Sequence, residues 1–462
     1  MVFSSLLFLF LFLPAVLAIY FLSPWRMKNM ILFASSLLFY AWGEPVYIVL
    51  MLISTVTDYV FGLLLSKPGL SEWKRKMIVA SSISVNIGLL SYFKYADFLI
   101  DSINALLGTS IPLTDLPLPI GISFYTFQSI SYIIDIYRGT AKAQRNWLDF
   151  ATFVALFPQL VAGPIVQYSS VSEQIRHRTV SLELFAEGVR RFSVGLAKKV
   201  LLANNIGLLW DNISSANPGT LPVLMAWIGI IAFAFQIYFD FSGYSDMAIG
   251  LGLMFGFRFN ENFNRPYAAN SITDFWRRWH ISLGTWFRDY LYIPLGGNRR
   301  GLAVQLRNIG IVWLLTGIWH GASWNFLLWG LYFGVILALE KTVLLRLLRR
   351  LPGWIGHLYA LFFILIGWVL FAFEDLSVTG SFFKALFGFN GQPLWDQETL
   401  YLMYTNAVLL VILVFASVIK TGKTNLGPRM AFMKLGWHAA LLLLSVAYLV
   451  DATFNPFLYF RF

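Results

Sequence analysis

Apolar residues along this chain gather into long blocks, separated by short polar segments in which Arg and Lys recur. The blocks do not alternate apolar and polar residues over about ten positions, as the strands of a membrane barrel would. They therefore predict helices, the one open-ended element that satisfies its own backbone hydrogen bonds in lipid. Residues 2–22 are too long for the apolar core of a secretion signal and carry no charged flank before them, so a retained first span is expected. Residues 30–66 would form a helix of about 55 Å, nearly twice the hydrocarbon thickness. Gly43-Glu44-Pro45 interrupts them, which predicts a helical hairpin. Further spans are expected at 77–98, 120–137, 355–373, 405–419 and 437–450, with a Pro-rich segment, 111–119, on the outer side. Residues 150–166, broken by Pro158, Gly163 and Pro164, suit a re-entrant segment. Such irregular backbone needs protein or a water-filled cavity around it.

The basic positions give these blocks one orientation. Arg26 and Lys28, then Lys67 with Lys74-Arg75-Lys76, then Arg138, Lys142 and Arg145, then Arg176 and Arg178 all fall on one side, the cytoplasmic side by the positive-inside rule. Residues 182–210 mix Arg190, Arg191, Lys198 and Lys199 with apolar positions and predict an amphipathic helix along the interface. Residues 222–257 are too long for one straight span. Residues 311–340 are apolar but broken at Gly317, His320 and Gly321. The expectation is an all-α polytopic membrane protein of ten or eleven membrane segments around a central cavity, in a single domain over 1–462.

Composition narrows the class. Hydrophobic residues make up 58% of the 462 and charged residues only 12%, about half the share of a soluble domain. Soluble, disordered and nucleic-acid-binding folds are excluded, since each needs more charge. The net charge of 34 − 23 = +11 follows from the basic inner loops and would also draw a polyanionic ligand to that face. There are no cysteines, which removes thiolate nucleophiles, acyl-thioester enzyme intermediates and Cys-ligated metals.

Two of the five histidines stand out. His177 lies in a basic loop, and His357 and His438 lie near span ends beside aromatic rings. His320, in Trp319-His320-Gly321, falls about 15 Å into an apolar block if helical. An ionisable group at that depth is functional by default, although a satisfied packing histidine remains open. His280 follows Ser271-x-x-Asp274, a plausible helix start, and Phe275-Trp276-Arg277-Arg278-Trp279. Arg277, Arg278 and Arg288 read either as an anion clamp, because guanidinium forks match phosphate oxygens, or as the polar side of an interface helix. A neutral imidazole can act as a general base, and Trp319, Ser323, Trp324 and Asn325 could supply donors or walls. Asp240 and Tyr244 lie in a polar run within an apolar block and would also line the cavity. Competing motifs fail. Lys420-Thr421-Gly422-Lys423-Thr424 resembles the end of a P-loop but lacks its first glycine and a preceding strand. No GxSxG or HExxH occurs, and two lone histidines are weak evidence for a metal.

Several segments are similar to the membrane-bound O-acyltransferase family. They are Tyr238-Phe239-Asp240-Phe241-Ser242-Gly243-Tyr244-Ser245-Asp246, Glu261-Asn262-Phe263-Asn264-Arg265-Pro266-Tyr267, Arg288-Asp289-Tyr290-Leu291-Tyr292-Ile293-Pro294, and Trp319-His320-Gly321. Pro119-Ile120-Gly121-Ile122-Ser123-Phe124-Tyr125 resembles the branch that acetylates bacterial exopolysaccharides such as alginate or cellulose. The resemblance covers roughly residues 1–375, with a signature core at about 118–340. It implies a multi-helix enzyme of the bacterial inner membrane, with His320 at the family's catalytic position and His280 at its second histidine position. It further implies acetyl-CoA as the donor, no permanently bound cofactor or metal, and periplasmic polysaccharide-acetylating partners that receive the acetyl group. A transporter that moves an acetyl carrier or polysaccharide without chemistry is the alternative, because broken helices and polar groups in the membrane suit transport as well.

Overall fold

The computed structural model describes residues 1–161, 163–419 and 428–451; the Lys420 to Thr424 run lies outside the described residues. Among them every regular element is helical. Seven helices are long and apolar enough to cross a membrane: Ile48–Leu65, Glu72–Leu107, Leu182–Ser215, Val223–Met254, Leu302–His320, Gly353–Ala372 and Gln397–Val418. Phe8–Leu22 and Leu435–Asp451 are shorter apolar helices. The fold is that of a polytopic membrane protein. Contacts divide it into two units, 1–193 with 244–260, and 194–243 with 261–462; two of the three boundaries fall inside long helices.

In the first unit, the hairpin predicted at Gly43-Glu44-Pro45 forms between Lys28–Ala41 and Ile48–Leu65. Glu72–Leu107 is one unbroken helix of 36 residues, started by the Ser71 side chain, which accepts from the Lys74 N–H. Residues 150–166 break as expected: Trp147–Ala155 ends at Leu156, and Phe157–Leu160 follows with Pro158 in its first turn. Residues 150–160 are all buried, across both pieces. Asp58, fully buried, accepts hydrogen bonds from Ser82 at 2.7 Å and from the Asn86 amide at 2.9 and 3.0 Å, which satisfies its oxygens within the helix bundle.

Two expectations are corrected. The amphipathic segment 182–210 is more deeply packed than an interface helix: its first turns are exposed, at Leu182, Val189 and Arg190, but most of its later part is buried. It belongs to the helix Leu182–Ser215, two thirds of whose most apolar stretch is buried. The reason is charge pairing: Lys199 meets Asp240 at 2.7 Å, both side chains 3% exposed, so neither needs water. Residues 222–257, expected to break, instead hold one uninterrupted 32-residue helix, Val223–Met254. At about 48 Å it exceeds the hydrocarbon thickness, and 78% of its most apolar stretch is buried within the protein.

The second unit carries a tight helical pair, Leu302–His320 and Trp324–Leu339. Gly317 and Gly330 face each other where the two helices meet. A methyl group at Gly317 would collide with the Phe326 carbonyl, and one at Gly330 with the Trp313 carbonyl. Small residues at such a crossing let the backbones approach closely.

Candidate functional site

The short helix Ile272–Trp276 starts as the sequence predicts. Ser271 accepts from the Asp274 N–H at 3.0 Å. A second cap comes from far along the chain: the Ile272 and Thr273 N–H groups donate to the Glu340 carboxylate at 2.7 and 2.8 Å. Glu340 is 1% exposed. A buried carboxylate on a helix N-terminus satisfies two orphan donors and complements the helix dipole. This anchor sets the direction of the Trp276 to His280 segment.

His280 is buried, and its backbone adopts a left-handed conformation (φ 44°, ψ 54°) before the helix Ile281–Phe287. That conformation is uncommon outside glycine and costs about 1–3 kcal/mol. It is held by Asn262, whose carbonyl oxygen accepts from the Ser282 N–H at 3.2 Å and the Ser282 hydroxyl at 2.9 Å, and lies 3.1 Å from His280 Nδ1. Because the Ser282 amide can only donate, Asn262 must present oxygen, so His280 Nδ1 carries the proton. Its Nε2 is then a bare lone pair, with no hydrogen-bond partner among the described residues. Burial pushes this imidazole down to about 3, so it is neutral across the physiological range.

His280 lines a cavity of about 270 Å³ in the second unit, together with Thr273, Trp276, Arg277, Arg288 and Lys341. The Trp276 indole N–H and the Thr273 hydroxyl are buried there without partners among the described residues. One small space therefore joins an unprotonated imidazole nitrogen that can accept a hydrogen bond, two donors and three cations. Such a space suits a neutral reacting centre attached to an anion.

The other predicted residues are placed as follows. Arg278 turns to Asp274, 2.9 Å away, and Arg288 pairs with Asp289 at 2.7 Å while keeping its place at the cavity wall. His320 ends its 19-residue helix, about 28 Å along it, rather than about 15 Å in, because the helix starts at Leu302 and not at residue 311. Its ring is buried, edge-on to Trp329 at 4.9 Å and Phe371 at 5.3 Å. Trp319 bridges the two histidines, its ring 6.0 Å from that of His280 and 5.0 Å from that of His320. Ser323 precedes the helix that Trp324 begins, and Trp324 is 56% exposed. Asn325 is buried and donates to the Leu370 carbonyl at 3.2 Å. Asp240 is taken up by Lys199. Asp246 is taken up by Arg191 at 2.6 Å, and Tyr244 stacks on Phe3 at 4.6 Å, both in the first unit. The structure thus brings His280, Arg277 and Arg288 together around the cavity; Trp319, whose ring neighbours both histidines, links His280 to His320, but His320, Trp319, Ser323, Trp324, Asn325 and Asp240 do not line this cavity. Sequence reasoning does not single out Asn262 as a ring-holder, Glu340 as a cap or Lys341 as a cavity cation. A lone acidic residue ending an apolar block is the one signal that could have marked Glu340.

Comparison with known proteins gives consistent matches. The family model for the membrane-bound O-acyltransferase family matches residues 143–383. A probable alginate O-acetylase of Azotobacter vinelandii is 42% identical over 501 residues, covering all of both chains. One from Pseudomonas aeruginosa is 46% identical over 394 residues, covering 84% of this chain and 75% of the relative. The peptidoglycan O-acetyltransferase of Helicobacter pylori is 33% identical over 521 residues, covering all of this chain and 98% of the relative.

Proposed function

Because the chain belongs to the membrane-bound O-acyltransferase family, we propose that this acyltransferase takes acetyl from acetyl-CoA in the cytoplasm. It passes the group across the bacterial inner membrane for O-acetylation of an exopolysaccharide such as alginate. Relatives named for alginate and peptidoglycan O-acetylation support a polysaccharide as the final acceptor. Periplasmic acetylating partners complete the transfer.

The observation that carries this reading is the cavity where His280, Arg277, Arg288 and Lys341 converge, one tryptophan away from His320. The phosphates of the donor fit the guanidinium groups. The acceptor hydroxyl attacks the thioester carbonyl while His320 takes the hydroxyl proton. The carbon–sulfur bond breaks, and that proton goes to the departing thiolate. His280, neutral and fixed by Asn262, orients the acyl group. The free donors of Trp276 and Thr273 stabilise the developing oxyanion. Without a cysteine, no acyl-thioester forms on the protein.

Labelled acetyl-CoA given to the purified full-length protein with an oligosaccharide acceptor tests this. Acceptor-dependent release of CoA is expected, with KM for acetyl-CoA raised at least tenfold in Arg277→Gln/Arg288→Gln. Transport of label without CoA release would refute the chemistry.

A further inference from the structure

The first unit contains a second cavity, of about 460 Å³, walled by the guanidinium-bearing residues Arg26, Arg145 and Arg176 with Trp25, Gln144 and Asp149. Among the described residues Asp149 is the only carboxylate in that wall, and the Asn29 amide already donates to it at 2.8 Å. Gln144 is 1% exposed. Its oxygen accepts from the Arg145 N–H at 3.0 Å, the Asn146 N–H at 3.2 Å and Arg176 Nη2 at 3.0 Å. Those three donors fix the amide orientation, and its NH₂ is left with no hydrogen-bond partner among the described residues.

A fourth cation adjoins this wall. Arg178 is 6% exposed. It donates to Asn29 Oδ1 at 2.7 Å and to the Ile175 carbonyl at 3.2 Å, both cavity-lining residues, and lies 5.1 Å from the Trp25 ring. No carboxylate lies within ion-pair distance of it among the described residues, and one of its terminal nitrogens has no partner there. A buried guanidinium without a counter-ion is costly. Four cations, one occupied carboxylate and a buried, unused amide donor together describe a receptor for an anion with several oxygens.

We propose that this cavity binds a phosphate group. Guanidinium forks and an amide N–H match phosphate oxygens in geometry as well as charge. The phosphate belongs either to an anionic phospholipid headgroup or to a soluble phosphate. Trp25, 44% exposed at the rim, is the type of side chain that settles at the membrane–water interface. The site is independent of the acyl-transfer reading, which uses none of these residues.

Thermal unfolding of the purified full-length protein in neutral detergent decides the matter. It is followed with phosphatidylglycerol, with phosphatidylcholine, and with inorganic phosphate at constant ionic strength. Stabilisation by phosphatidylglycerol alone assigns the site to a lipid headgroup, and stabilisation by inorganic phosphate as well assigns it to free phosphate. In either case the apparent affinity should fall at least tenfold in Arg145→Gln/Arg176→Gln and stay unchanged in Lys67→Gln/Lys74→Gln, which removes equal charge outside the cavity. If the double variant does not fold, Arg145→Gln alone should weaken binding at least threefold, because no described hydrogen bond uses its side chain. Stabilisation by neither phosphatidylglycerol nor inorganic phosphate, equal stabilisation by phosphatidylcholine, or an equal loss in the lysine variant overturns the proposal.

Discussion

At residue 280 a histidine occupies a left-handed backbone conformation, is fully buried and is held from one side by Asn262. Its low basicity has a consequence for stability. The native imidazole takes a proton only near pH 3, whereas in the unfolded chain it does so near 6.5. Between those values the unfolded state binds more protons, so stability rises with pH. This contribution is complete above about pH 6.5 and is lost progressively on acidification toward 3. The midpoint of thermal unfolding in detergent should therefore drop between pH 7 and pH 5 in the wild type and drop less in His280→Asn. Parallel profiles would mean that His280 is accessible to protons in the folded protein. Asp240 makes a second residue-scale prediction. Asp240→Asn leaves Lys199 buried without its carboxylate and should cost about 3–5 kcal/mol, read as lost accumulation in the membrane. Lys199→Met/Asp240→Leu should restore both accumulation and acyl transfer, which it could not do if the Asp240 carboxylate took part in the reaction. The two histidines and the arginines are legible in the sequence, because ionisable groups in apolar surroundings stand out. Their long-range holders, Asn262 for His280, Glu340 for the Ile272 helix and Lys199 for Asp240, depend on pairings that no local pattern encodes.

Among the elements, the pair Leu302–His320 and Trp324–Leu339 places His320 at its turn, and its closeness rests on two glycines. Gly330→Ala should destabilise the protein by about 1–3 kcal/mol, because the added methyl meets backbone that cannot yield. Gly310→Ala, on the same pair but with open space around the added carbon, should be neutral or stabilising by up to about 1 kcal/mol. Thermal unfolding of the two variants side by side checks this, and equal destabilisation would show that helix packing is not the cause. Local chemistry announces some breaks: Gly43-Glu44-Pro45, Pro158 and Gly321 each interrupt a helix where expected, whereas 222–257 holds one helix and Gly317 lies inside Leu302–His320. It does not announce extents. Hydropathy starts the last of these helices at residue 311, whereas the backbone is already helical through Arg307 and Asn308. Arg307 and Asn308 both donate to the Leu295 carbonyl of the preceding loop, at 3.1 and 3.4 Å, which ties these polar residues to the helix start. The helix of 182–215 was misplaced for the same kind of reason, since its lysine is neutralised by a partner outside the window that hydropathy reads.

For the molecule as a whole, charge asymmetry and chemistry make one account. Basic loops on one face would gather an anionic donor and orient the chain in the membrane. The absence of cysteine makes the orientation simple to measure. Lys74→Cys and Lys142→Cys should each react with a membrane-impermeant maleimide only after the membrane that holds the protein is opened, and labelling from outside while that membrane is intact would reverse the topology. The central claim is that an imidazole in this helical bundle transfers an acyl group. Its most direct measurement compares acceptor-dependent CoA release from acetyl-CoA by the purified wild-type protein and by His320→Ala at equal yield and dispersity. The account predicts a fall of about 10²–10⁴-fold, the usual worth of a general base; release at the wild-type rate would contradict it.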